Sequence, residues 1–227
     1  MKQVLILCGL FLMMTGCKND SKQTETSAPD TSRTTAELIA EAHGINHWNK
    51  VSKIEFTFSV DRDTIKGPGR AWTWLPKEDS VILRMPDQTL KYSQKAIDSA
   101  YISADRAFIN DKFWLLIPFQ LIWDKSASIS DPVSEAAPIS GTLMNKITIT
   151  YPNEGGGYTP GDAYDIFYKD DYLIREWIFR KGNSPEPTLA TTFEDYADYS
   201  GLKLALSHKR EDPSWNLVFR DVRVTTE

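Results

Sequence analysis

From residue 54 onward, apolar and polar positions alternate over most of the chain. Ile54, Phe56, Phe58 and Val60 are separated by Glu55, Thr57 and Ser59. Successive side chains of a strand point to opposite faces, so this spacing predicts a strand buried on one side. After the turn residues Gly67-Pro68-Gly69, Trp72 and Trp74 alternate with Ala71, Thr73 and Leu75. Val81, Leu83 and Met85 follow, then Leu90 and Tyr92, Ile147, Ile149 and Tyr151, and Leu202, Leu204 and Leu206. In the last strand Trp215, Leu217 and Phe219 share one phase, and Val222 and Val224 the other. One extra residue restores the phase, which predicts a β-bulge at Arg220-Asp221. The clearest hairpin joins 163–168 to 172–180 across Lys169-Asp170-Asp171. Setting Tyr168 opposite Tyr172 places Ile166 opposite Ile174 and Asp165 opposite Arg175. Both faces of that hairpin are apolar enough to need cover, one from an element packed inside and the other from something laid over the outside.

Two stretches break the alternation. Thr34 precedes Glu37 by three residues, the spacing of a capping box, and Leu38, Ile39 and Ala42 share a helical face. Gly44 stands where a glycine would end that helix. Between residues 94 and 125 the period-two pattern is lost. Asn110-Asp111 look like a helix start, but Pro118 would break a helix interior. The expectation is one or two short helical turns and then an extended 119–123. The run 113–123, FWLLIPFQLIW, reads either as a core plug or as a lid or floor over an apolar cavity.

The amino terminus is of another kind. Lys2 precedes 4–14, VLILCGLFLMM, a run too short to span a bilayer core, which needs roughly 20 apolar residues, but long enough for a secretory signal. Met14-Thr15-Gly16-Cys17 resembles the lipobox of bacterial lipoproteins. That resemblance implies cleavage of residues 1–16 and lipidation of Cys17. Two or three acyl chains would hold the protein at a membrane essentially permanently, since one chain alone binds only reversibly. By the same resemblance, in which Asp after the Cys marks inner-membrane retention, Lys18 implies the outer membrane, with the periplasmic or surface-facing side left open. Residues 17–33 then form the lipidated Cys and a polar tether with a reach of roughly 20–25 Å. Residues 34–227 form a single β domain.

Composition narrows the function. The 26 Lys and Arg against 31 Asp and Glu give a net charge of −5. This argues against nucleic-acid binding, which rests on clustered cations. A 41% hydrophobic content supports a packed core and not a disordered chain. On the lipobox resemblance Cys8 would leave with the signal and Cys17 would carry lipid, so no thiol would remain for catalysis, metal binding or a disulfide.

The order of these pieces resembles the LolA-like lipoprotein-carrier superfamily. The residues that carry it are the amino-terminal helix before the first strand, Trp114-Leu115-Leu116 with Pro118-Phe119 in mid-chain, and the strands that follow. The resemblance implies a mainly β (α+β) fold. Its centre would be a strongly curved antiparallel sheet, an incomplete β-barrel, with short helices packed on or inside the concave face. It implies an acyl chain or other apolar ligand in that concavity, with possible carrier or sensor roles. Phe56, Phe58, Trp72, Trp74, Trp114, Leu115, Ile166, Ile174 and Ile178 are the candidate cavity lining. Asp165, Arg175 and Glu176 are the candidate polar contact, although the cluster reads first as a structural cross-strand ion pair.

No nucleophile elbow, phosphate loop or calcium loop occurs. His43 and His47 lie four apart, but Gly44 intervenes. His208 reads as exposed in a turn. No cofactor, metal or enzymatic activity is expected. The competing reading is a non-catalytic protein-interaction module of the cell envelope with a filled core.

Overall fold

A computed structural model of the chain describes residues 33–154 and 159–227. The described residues fall in one compact unit, Arg33–Glu227. The signal segment and Cys17, with nearly all of the tether, lie outside the described residues.

Helix α1 (Thr35–Ala42) starts as its capping box requires. Thr34 Oγ1 accepts from the Glu37 N–H, and the Glu37 carboxylate accepts from the Thr34 N–H at 2.7 Å. The helix ends at Gly44, whose φ of 94° is left-handed. A Cβ there would sit 1.9 Å from the Gly201 carbonyl oxygen, so both backbone shape and close approach demand glycine. A short 3₁₀ turn, Ile45–Lys50, leads into the sheet.

The first four strands are β1 (Val51–Arg62), β2 (Arg70–Leu75), β3 (Ser80–Met85) and β4 (Gln88–Ser93). Helix α2 (Ile102–Trp123) follows. Then come β5 (Ser128–Ile129), β6 (Val133–Ala136), β7 (Leu143–Thr150), β8 (Ala163–Tyr168), β9 (Ile174–Arg180) and β10 (Leu189–Thr192). The chain closes with β11 (Ala197–Tyr199), β12 (Leu202–Leu204), β13 (Ser207–Lys209) and β14 (Trp215–Thr226).

All strand pairs are antiparallel. The first sheet runs β13-β14-β1-β2-β3-β4, the second runs β10-β9-β8-β7-β5 with β6 also on β7, and β11-β12 form a separate two-stranded hairpin. A bridge between Glu194 and Ser207 joins the end of one sheet to the end of the other. The result is mainly β, with antiparallel sheets that do not close into a barrel and a helix packed against them. Along β1 and β14 the register slips by one residue between Glu55 and Thr57, and Asp221 takes a φ of 53°. That is the bulge expected at Arg220-Asp221.

Three expectations are corrected. The first concerns 102–123, which is one 22-residue helix and not short turns followed by an extended segment. Pro118 does bend it: Leu116 leaves helical geometry at φ −117°, ψ 18°, as the ring's clash with the preceding turn requires. An interior proline costs roughly 3 kcal/mol. Every residue from Trp114 to Leu121 is buried, and each large apolar side chain gains about 1.5–3 kcal/mol on burial. Burial therefore wins and the helix continues.

The second concerns the β8–β9 register. Tyr168 pairs with Ile174, Ile166 with Trp177, and Asp165 with Ile178. Tyr172 adopts a left-handed φ of 57° and stacks on Tyr168 at 5.7 Å, so the turn is longer than three residues. Arg175 is the extra residue of a bulge, since Phe167 faces Glu176 while Tyr168 faces Ile174. The third concerns His208, which is fully buried on β13.

Candidate functional site

Helix α2 has two working faces. Asp105, Phe108, Asp111 and Lys112 are buried against the first sheet. The Phe108 ring lies 5.3 Å from Trp72 and 5.9 Å from Trp74. The Lys112 ammonium sits 4.7 Å from the Trp74 ring centre, and burial pushes its pKa down to about 8. Asp111 is fully buried. It accepts from Arg70 Nε at 2.7 Å, Arg70 Nη2 at 2.6 Å and Trp72 Nε1 at 2.8 Å. This half of the interior is filled: aromatic rings, a fork-shaped ion pair and a buried lysine occupy it.

The other face of α2 is Arg106, Ile109, Asn110 and Phe113, spaced to share one side of the helix, with Trp114 beside them. Across from it stand Tyr164 of β8, Trp177 and Phe179 of β9, Leu189 of β10 and Thr159. Between them lies a pocket of about 380 Å³, near the lower end of the roughly 300–1,000 Å³ usual for ligand sites. Its rings interlock. Trp114 meets Trp177 at 4.4 Å, Tyr164 meets Trp177 at 5.1 Å and Phe179 at 5.2 Å, and Phe113 meets Tyr164 at 5.0 Å. Trp114, Tyr164 and Trp177 are buried at its depth, while Arg106 and Asn110 are exposed at its mouth. The Tyr164 hydroxyl donates to Thr159 Oγ1 at 3.1 Å, and burial raises its pKa. Among the described residues the pocket wall carries no His, Asp, Glu or Cys. A wider groove of about 490 Å³ lies beside the start of α1, but Arg33, Glu37, Lys125 and Asp131 on its walls make it polar.

Of the nine candidate lining residues, the pocket brings in Trp114. Phe56, Phe58, Trp72, Trp74, Leu115, Ile166 and Ile174 belong to the main packed core. Ile178 packs on the far face of the second sheet with Ala137, Met144 and Phe167. The polar trio is dispersed. Asp165 pairs with Arg180 at 2.9 Å and accepts from Thr148 Oγ1 at 2.7 Å. Arg175 pairs with Asp171 at 2.5 Å. Glu176 is buried and accepts from the backbone N–H groups of Ile139 and Ser140, which clamps the β6–β7 loop over the outer face. That loop is the outside cover that the apolar hairpin required.

The histidines are structural in their contacts. His43 is buried, bonded through Nδ1 to the Ile39 carbonyl at 2.8 Å and through Nε2 to the Tyr196 hydroxyl at 3.2 Å. Desolvation pushes its pKa down to about 4. His208 lies 4.4 Å from the Phe193 ring and 5.4 Å from Trp114. Burial pushes its pKa down to about 3. Among the described residues no group of three or more His, Cys, Asp or Glu could hold a metal. Among them, too, no helix is long and apolar enough to cross a membrane.

No family model matches the chain, and no curated protein does. Solved structures do. The chain is similar to a LolA superfamily protein from Nitrosomonas europaea, with 10% identity and a TM-score of 0.47, over 86% of this chain and 96% of that one. It is also similar to a DUF1329 family protein from Desulfovibrio piger, with 9% identity and a TM-score of 0.47, over 84% of this chain and 91% of that one.

The residues that sequence reasoning missed on the α2 side are Arg106, Ile109, Asn110 and Phe113. Their helical spacing is present in the sequence, but it was hidden by reading a helix start at Asn110. Tyr164, Phe179 and Leu189 were missed because no local signal tells which inward-facing residues of a sheet meet a helix and which meet open space.

Proposed function

We propose that this protein is an envelope lipoprotein, anchored through Cys17 at the outer membrane, that holds an apolar chain in the pocket between α2 and the second sheet. The observation that carries the reading is the aromatic-walled space at Trp114, Tyr164 and Trp177. Among the described residues the wall carries no carboxylate, imidazole or thiol, which suits retention of a ligand better than chemistry on it. At roughly 30 Å³ for each water-sized group, the space takes about a dozen such groups, one acyl chain's worth.

The energetics set the behaviour. A chain of that length leaving water gains on the order of 10 kcal/mol, against about 4–15 kcal/mol lost in freedom and ordering. A chain drawn from a bilayer gains almost nothing from hydrophobicity, because both environments are apolar. Uptake then rests on dispersion contacts with the rings, and selection is by shape. Lipid extraction of the purified protein tests the reading. Stoichiometric lipid is expected, and Leu189→Trp, which fills the pocket from β10, is expected to abolish it. A lipid-free protein that unfolds no differently when lipid is added would overturn the reading.

One observation favours a second reading. The first sheet is filled by Phe108, Lys112 and Asp111 of α2, as a non-catalytic protein-interaction module with a solid interior would be. In that case the pocket would be an incidental gap, and Leu189→Trp would leave every binding property unchanged.

A further inference from the structure

Resting on the apolar-pocket reading, we infer that the pocket selects a single-chain amphiphile with an anionic head, a long-chain carboxylate, and that Arg106 is the residue that sets this selectivity. Among the described residues, four polar side chains besides the indoles border the space: Arg106, Asn110, Thr159 and Tyr164. Three are committed elsewhere. Asn110 Nδ2 donates to Asp111 Oδ1 at 3.0 Å, and Thr159 Oγ1 takes the Tyr164 hydroxyl proton at 3.1 Å. Arg106 is exposed at the mouth and forms no ion pair or hydrogen bond among the described residues.

It is an uncommitted cation among the described residues, on a chain whose net charge is −5, and it lines the same pocket as the rings of Phe113, Trp114, Tyr164 and Trp177. Arg70, Arg175, Arg180 and Arg220 all have carboxylate partners. A guanidinium presents a planar fork of donors that matches a carboxylate in two bonds. Arg106, Ile109, Asn110 and Phe113 lie on one side of α2. An occupant whose head meets Arg106 would therefore run its tail along Ile109 and Phe113 towards Trp114 and Trp177. The volume of about 380 Å³ holds about a dozen water-sized groups, which admits one chain and excludes a second.

The full chain is tested in phosphatidylcholine vesicles carrying a trace of dodecanoic acid with a diazirine near its methyl end. After photolysis, labelled peptides are mapped by mass spectrometry. The expected labels fall within residues 106–114 and 177–189. Dodecanol carrying the same diazirine should label these peptides about three- to tenfold less, the range of an exposed to partly desolvated charge contact. Arg106→Glu should lower labelling by the acid to the level of the alcohol, and Arg106→Lys, which keeps the charge but loses the fork, should retain only part of the preference for the acid.

Equal labelling by acid and alcohol, or no effect of Arg106→Glu, would overturn the inference and leave the apolar pocket standing. So would equal labelling by phosphatidylglycerol with a diazirine on one chain, since the occupant would then be a two-chain lipid. Absence of label from these peptides with every probe would sink the pocket reading and the inference together.

Discussion

Asp111 and Arg70 show how one buried carboxylate orders its surroundings. Asp111 is fully buried, whereas the Arg70 side chain is 42% exposed. The two ends of the pair therefore respond differently to mutation. Arg70→Ala leaves a buried charge without its counter-ion and is expected to cost about 3–5 kcal/mol. Asp111→Asn keeps an acceptor for Trp72 and lets Arg70 turn to water, and it is expected to cost about 1–2 kcal/mol. Combined, the two changes should cost less than their sum, because each removes the reason the other is harmful. Urea midpoints of the three variants check this ordering. The buried histidines make a second prediction. His208 and His43 have pKa values pushed down to about 3 and about 4. Below pH 6.5 the unfolded chain binds protons that the folded one refuses, so stability is full above pH 6.5 and falls as pH drops towards 4. The loss should reach several kcal/mol, and His208→Phe should flatten the curve of unfolding free energy against pH.

The elements differ in how locally they are determined. α1 is set by neighbours in sequence, and Thr34→Ala should remove about 1 kcal/mol by leaving the Glu37 N–H without its cap. Gly44→Ala should cost more than the 1–2 kcal/mol of left-handed strain alone, because its Cβ would also strike the Gly201 carbonyl. The β6–β7 loop is tied by a single side chain from another strand. Glu176→Ala should speed hydrogen exchange at Ile139 and Ser140, with the β8–β9 ladder still protected. α2 is the opposite case from α1. It lacks a side-chain cap and contains a proline, so its length comes from what it packs against.

At the scale of the molecule, α2 joins the two halves. One face fills the first sheet, and the other leaves space against the second. α1 packs on α2, and Trp48 meets Trp74, Phe119 and Trp123 at 5.6, 5.7 and 4.5 Å. With one helix shared by both sheets, neither half keeps its core alone. Residues 33–227 should therefore unfold in a single transition, with far-ultraviolet dichroism and tryptophan fluorescence coinciding. Separate midpoints would show that the sheets fold independently.

The parts legible in the residues alone are those decided within a few positions of the chain. The Thr34 capping box, the glycine at 44, the alternation in β1, β2 and β7 and the bulge at Asp221 all follow from backbone preference and side-chain period. The parts that were not legible depend on residues far apart. The β8–β9 register turned on a left-handed Tyr172 and a bulge at Arg175. The continuation of α2 through Pro118 turned on burial against both sheets, which outweighs a local penalty of roughly 3 kcal/mol. The same holds for the pocket. Alternation marks Trp72 and Trp74 as facing one side of their strand, and only the path of α2 decides that they meet solid packing while Trp114 and Trp177 border open space. Local energies name the faces of the elements, and long-range packing decides what each face touches.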